Sequence, residues 1–109
     1  MSEAVFRDYD REALDAQYFL RPQVEDFAAF VEHYQQISAE ARADLNGTLD
    51  IAYGPLPGEK LDIFVPDGAT DAPVHFFIHG GYWQSMDKSD FDYVAKGLVP
   101  RGAITVVVN

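Results

Sequence analysis

The sequence contains no cysteine. Disulfides, thiolate nucleophiles and cysteine-based zinc sites are therefore excluded, and a reducing compartment fits. Positive charge is scarce too: 8 Lys and Arg stand against 18 Asp and Glu, a formal net charge of −10. Such a surface repels phosphate backbones and anionic lipid, which argues against nucleic-acid binding and membrane docking. No apolar run approaches the roughly 20 residues that span a bilayer. The charged start, MSEAVFRDYDREALD, lacks the apolar stretch of a signal peptide. A cytoplasmic protein is the expectation. Repeats and low-complexity segments are absent. Serine occurs only at Ser2, Ser38, Ser85 and Ser89, histidine only at His33, His75 and His79, and tryptophan only at Trp83.

What is present is the material of one small packed domain. The 109 residues are 48% hydrophobic and 14% aromatic, too apolar for a disordered chain and too short for two domains. Asp10 caps a first helix through about Phe19, with Glu12 in its first turn. Pro22 suits the first turn of a second helix. Along it Val24, Phe27, Val31, Tyr34, Ser38, Ala41 and Leu45 recur on one face, with Phe30 and Ile37 widening the stripe. Asn46-Gly47 ends this helix, Gly47 being able to take positive φ.

The period then becomes two. Leu49, Ile51 and Tyr53, and after the GPLPGE turn Leu61, Ile63 and Val65, alternate with polar neighbours. An antiparallel pair over 48–54 and 60–66 is expected, each strand with one buried face. Val74–Ile78 and Ala103–Val108 are nearly continuous apolar, the pattern of parallel strands buried on both faces. Between them Ser89 is positioned to cap a helix, with Asp92 three residues on and Phe91, Val94, Ala95 and Leu98 inward. Two buried strands joined by a helix make a βαβ-like unit. The division expected is a helical segment over 1–46 and a sheet-bearing segment over 47–109. The strand at 103–108 is expected to keep one face or edge open, needing a partner copy or a further segment to cover it.

The segment with the most chemistry is FFIHGGYWQ, Phe76–Gln84. Two glycines at the C-terminal end of a buried strand let the backbone turn sharply and present successive N–H groups to a ligand. In acyl transfer such donors stabilise the oxyanion, and losing one costs about 3 kcal/mol of transition-state stabilisation. HGGYW after an apolar strand resembles the oxyanion-hole signature of α/β-hydrolases of the esterase and lipase type. The aromatic form, with HGGYWQSMDKSDF around it and LDIFVP and YFLRP upstream, is similar to that of the arylformamidase (kynurenine formamidase) group and related bacterial esterases.

The resemblance implies an α/β fold: the first part of an α/β-hydrolase, with two N-terminal helices, an antiparallel hairpin, then parallel strands with a crossover helix, in an incomplete sheet. It implies hydrolysis of a small carboxylic ester or aryl formamide through a serine acyl-enzyme, with no metal or organic cofactor. Gly81 and Tyr82 would donate backbone N–H groups to the oxyanion and Gly80 would permit the turn. His79 would brace the loop, and Tyr82 and Trp83 would pack it or wall the acyl pocket. The family's Gly-x-Ser-x-Gly elbow is absent, and all three histidines precede the place of the catalytic one. The chain therefore reads as the N-terminal portion of a longer hydrolase, without nucleophile or base of its own. A non-catalytic acidic α/β protein that binds a small molecule or a partner, such as its mate in a homo-oligomer, through the exposed strand edge and the aromatic loop is the rival reading; one half of a complemented hydrolase is a third.

Other candidates carry blander readings. His75 is expected as a half-buried core histidine and His33 as a solvated helical one. Phe27, Phe30 and Tyr34 are expected to pack. Asp87, Asp90 and Asp92 suggest calcium, but the sixth and twelfth positions of a calcium loop counted from Asp87 hold Asp92 and Leu98, not Gly and Glu. They are read as helix-start acids. Lys88 in this acidic stretch is expected to be charged and a poor base for Ser85 or Ser89.

Overall fold

The computed structural model describes residues 3–109. Two compact units divide within the second helix, one running up to Phe30 and the other Val31–Asn109.

In the first unit, α1 spans Arg11–Tyr18, and the Asp10 carboxylate accepts the Ala13 N–H at 2.8 Å, so the cap is where the sequence places it. Pro22 does not open the long helix. It lies in a separate 3₁₀ turn, Arg21–Gln23, closed by Gln23 N–H to the Leu20 carbonyl and Val24 N–H to the Arg21 carbonyl. Val24 and Asp26 then leave helical geometry, Asp26 with φ of 52°. The Arg21 guanidinium sits 4.5 Å over the Phe27 ring. The long helix, α2, is Phe27–Asp44.

The stripe foreseen for α2 is present: Ser38 and Ala41 are fully buried, and Phe27, Val31, Tyr34 and Leu45 are partly so. Val24 and Phe30, at 42% and 52% exposure, do not extend it. Gly47 does not cap the helix in a left-handed conformation. It opens strand β1, Gly47–Ala52, where a Cβ would stand 2.7 Å from the Phe64 ring. Close approach to that ring, rather than positive φ, is what requires glycine here.

The remaining strands are β2, Lys60–Phe64, β3, Val74–Ile78, and β4, Ile104–Val108, in the order β1-β2-β4-β3. β1 is antiparallel to β2, β2 antiparallel to β4, and β3 parallel to β4. The sheet is mixed and open, as foreseen. Its edges are not where the sequence suggests. β4 is central and paired on both sides, so the segment 103–108 has no free edge to cover. The open edges belong to β1 and β3. The crossover from β3 to β4 is a chain of 3₁₀ turns, Lys88–Asp90, Asp92–Val94 and Val99–Arg101, around a short helix α3, Ala95–Leu98. Gly102, with φ of 93°, ends it.

Register assigns the faces. Asp62, Phe64, Thr105, Val107, His75 and Phe77 share one face, because Asp62 pairs with Val107, Phe64 with Thr105, and β4 with His75 and Phe77. This is the covered face: Phe64, Ala95, Val99 and Val107 form the core, with Leu45, Phe77, Phe91 and Val94 packed on it. The other face carries Leu61, Ile63, Val106, Val74, Phe76 and Ile78. On β3 it is open, with Val74, Phe76 and Ile78 at 60%, 55% and 73% exposure. β3 is therefore covered on one face only, not both. The buried phase of β2 is Asp62 and Phe64, opposite to the Leu61–Ile63–Val65 phase expected. β1 gains little burial, Leu49 and Tyr53 remaining exposed, because a bulge at Asp50 (φ 57°) breaks its ladder at the sheet edge. Val99, rather than Leu98, completes the inward stripe of the crossover. Among the described residues no helix is long and apolar enough to cross a membrane.

Candidate functional site

The loop 79–87 leaves the C-terminal end of β3. Gly81 turns it: φ is 120°, and a Cβ there would collide with the Ser85 carbonyl. Gly80 has open space and no positive φ, so the sharp turn rests on Gly81 and not on its predecessor. Tyr82 and Trp83 follow with φ of 54° and 57°, and Met86 with 74°. Left-handed geometry at consecutive aromatic residues is strained and persists only where the surroundings hold it.

The Gly81 carbonyl accepts from Gln84 N–H at 3.0 Å, Ser85 N–H at 3.1 Å and the Ser85 hydroxyl at 3.3 Å. The peptide is trans, so the N–H of Tyr82 points away from that turn. The Gly80 carbonyl faces His79 Nδ1 at 2.6 Å, so the Gly81 N–H points away from the histidine. Neither N–H has a partner among the described residues. Gly81 and Tyr82 are among the residues lining an open cavity of about 750 Å³, together with Gly58, Ile78, His79, Ser85, Val108 and Asn109. Its volume is that of a small-molecule site. The side chains of Tyr82 and Trp83 stand out in solvent at 83% and 102% exposure, so neither packs the loop.

His79 sits half-buried at the start of the loop. Its ring stacks on Phe91, 5.5 Å between centroids and 6° between planes. Nε2 lies 3.0 Å from Asn109 Oδ1. Both ring nitrogens thus face acceptor oxygens, and only the doubly protonated ring donates to both.

The far end of the loop is anchored by residues that sequence reasoning left aside or read otherwise. The cap is Asp87, two residues before the expected Ser89: its Oδ2 accepts from Ser89 N–H at 2.9 Å and the Ser89 hydroxyl at 2.7 Å, while Asp87 N–H donates to Asp90 Oδ2 at 3.0 Å. Burial pushes the Asp87 carboxyl up, but the bonds from Ser89 outweigh this and hold it below its ordinary value. Asp90 also accepts from Gln35 at 3.0 Å. Both acids are thus committed to protein donors.

Lys88 turns inward and is 6% exposed. Its Nζ meets Asp62 Oδ1 at 2.9 Å, Asp62 Oδ2 at 3.0 Å and Asp50 Oδ1 at 2.8 Å. Burial would lower its pKa, but the bonds and charges of Asp50 and Asp62 prevail and raise it. Lys88 is an ion-paired ammonium and no base for a neighbouring serine. Beside it, fully buried Asp92 pairs with Arg42 at 2.8 Å, and Arg42 also donates to the Ser89 carbonyl at 2.8 Å. Burial pushes Asp92 up to about 7, against the Arg42 bond and with help from the nearby Asp62 carboxylate. A lysine amid acids and an aspartate inside an apolar strand were the available signals. Pairing partners 26 and 38 residues apart, however, become visible only in the fold.

His75 is half-buried with Nδ1 unpartnered, and His33 is exposed on α2. Among the described residues no cluster of three His, Cys, Asp or Glu could hold a metal.

The chain is similar to three proteins named kynurenine formamidase. With that of Danio rerio it shares 36% identity over 82 residues, 74% of this chain and 28% of the relative. With that of Salmo salar it shares 31% over 104 residues, 94% and 35%. With that of Drosophila melanogaster it shares 32% over 112 residues, 94% and 37%. A solved structure from Silicibacter sp. TM1040, provisionally named a thioesterase, superposes with a TM-score of 0.76 at 29% identity, covering 84% of this chain and 35% of that one. No family model matches. The chain spans about a third of the length of the curated relatives it matches.

Proposed function

We propose, from this relationship to the kynurenine formamidases as premise, that the chain supplies the oxyanion-binding part of a serine-type hydrolase acting on small carboxylic esters or aryl formamides. The observation that carries the reading is the pair of unpartnered N–H groups, Gly81 and Tyr82, on a strained loop at the C-terminal end of a parallel strand. Pre-oriented donors of this kind stabilise charge that develops on a carbonyl oxygen.

A serine hydroxyl, from outside these 109 residues, adds to the substrate carbonyl while a base takes its proton. The π electrons move to oxygen, and Gly81 and Tyr82 donate to that oxyanion. Collapse expels the alcohol or arylamine with a proton, and water then releases the acid. Gly80, Gly81 and Tyr82 belong to the oxyanion hole, His79 braces it, and the Tyr82 and Trp83 side chains contact substrate. The cytoplasm is the setting that the cysteine-free composition supports.

The test is an amide NMR titration of the chain with methylphosphonate, a tetrahedral oxyanion mimic. The Gly81 and Tyr82 amides are expected to move furthest and downfield. Shifts confined to other residues, or none at millimolar probe, would remove the basis of the reading. The isolated chain is expected to turn over neither phenyl acetate nor N-formylkynurenine, since no nucleophile elbow is present.

A further inference from the structure

The loop is long and strained at its tip, and its internal bonds are those to the Gly81 carbonyl and the contact of His79 Nδ1 with the Gly80 carbonyl. Something must hold its two ends. Both ends meet at one side chain. Asn109 Oδ1 accepts the Lys88 N–H at 3.1 Å and lies 3.0 Å from His79 Nε2, while Asn109 Nδ2 donates to Asp87 Oδ1 at 2.9 Å. His79 begins the loop; Asp87 and Lys88 close it. The main chain of Asn109 is held independently: its N–H donates to the Lys60 carbonyl at 3.0 Å, and its carbonyl accepts from the Tyr53 hydroxyl. The carboxamide is thus fixed at the end of the central strand, between the two ends of the loop.

We infer that Asn109 is the positioning residue of the oxyanion loop, one carboxamide tying the loop's incoming end at His79 to its outgoing end at Asp87 and Lys88. The inference rests on the hydrolase reading for its purpose, but its geometry does not. The amide cannot be turned over. Lys88 N–H can only donate and the Asp87 carboxylate can only accept, so Oδ1 faces His79 and Nδ2 faces Asp87. His79 Nε2 consequently carries a hydrogen in this arrangement. Leucine at 109 would keep the volume and lose all three bonds. Aspartate would keep the acceptor for His79 and Lys88, lose the donor to Asp87 and set two carboxylates together. The two substitutions therefore separate the two ends of the loop.

The experiment is NMR of the chain at one pH, without substrate, on the parent, Asn109→Leu and Asn109→Asp. In the parent the His79 Nε2 hydrogen is expected to be slow enough in exchange to observe. In Asn109→Leu it disappears into solvent exchange, and the amides of Gly80 to Trp83 shift while those of β2 stay. In Asn109→Asp the His79 signal and the Lys88 amide protection persist, while amide protection at Ser89, whose N–H is held by Asp87, falls at least tenfold. A residue that merely ends the strand would instead disturb Lys60 and Tyr53 and leave the His79 ring signal in place. That result, or unchanged Gly80–Trp83 amides in Asn109→Leu, overturns the inference. Should Asn109→Leu not fold, Asn109→Asp decides alone: loss of the His79 signal together with retained Ser89 protection is the opposite of what the geometry requires. No arm measures turnover or anion binding, so failure here is distinct from failure of the hydrolase reading.

Discussion

Lys88 Nζ lies 2.9 Å from one oxygen of Asp62 and 3.0 Å from the other, between side chains that are both almost wholly withdrawn from solvent. A buried pair of this kind contributes little net stability when intact, because desolvation offsets attraction. Breaking it is another matter, since a lone buried charge remains. Lys88→Met is therefore expected to destabilise the chain by about 3 kcal/mol. The double variant Lys88→Met with Asp62→Leu is expected to recover most of that loss. Urea unfolding of the three proteins checks this, and a double variant no better than Lys88→Met would show that the pair is not the source.

The two loop glycines are expected to respond differently. A Cβ at Gly81 collides with the Ser85 carbonyl at a φ that side chains rarely adopt, whereas Gly80 faces open space. Gly81→Ala is expected to cost roughly 1–3 kcal/mol, and Gly80→Ala to stay within about 0.5 kcal/mol. Equal costs in thermal unfolding would mean that the turn is not built on Gly81.

Asp92 makes stability depend on pH in an unusual direction. Its folded carboxyl is raised from an ordinary 3.8 to about 7, so between those values the folded chain holds more protons than the unfolded one. The stabilisation is fully present below about 4 and is lost as pH rises toward 7, a fall on the order of 2 kcal/mol after allowance for relaxation. Asp50 and Asp87, whose carboxyls are lowered, act with the opposite sign, losing stability as pH falls below their ordinary range. Asp92→Asn removes the titrating group and leaves Arg42 a carboxamide oxygen. Its melting temperature is expected to lose the decline between pH 4 and 7. A Tm–pH profile parallel to the parent's would refute the assignment.

Trp83 is the only tryptophan and stands fully in solvent. Its emission is expected to match that of a free tryptophan amide and to be quenched fully by acrylamide. A blue-shifted, protected emission would mean that the ring is covered in solution.

Much of the fold was legible. The Asp10 cap, the Tyr34–Ser38–Ala41 stripe and the parallel relation of Val74–Ile78 to Ile104–Val108 follow from local periodicity and capping chemistry, which operate over a few residues. The turn after Val74–Ile78 was legible because a glycine pair directly after an apolar strand breaks it. Phase and neighbours were not. Ile63 and Phe64 are both apolar, so alternation alone could not say that Phe64 faces the core and Ile63 the other side. Nor could composition say that β4 is central and β3 an edge, since Val and Ile serve equally in both places.

The sequence by itself determined the element types, the excluded chemistries of thiolate and disulfide, and the loop on which the proposed function rests, because each depends on residues adjacent in the chain. Only the tertiary structure decided which glycine makes the turn, that Asp62 shields a buried lysine, and that Asn109 joins both ends of the loop. The last two depend on groups 26 and 30 residues apart that meet only after the strands have chosen their order, and the first on how the loop folds back on Ser85.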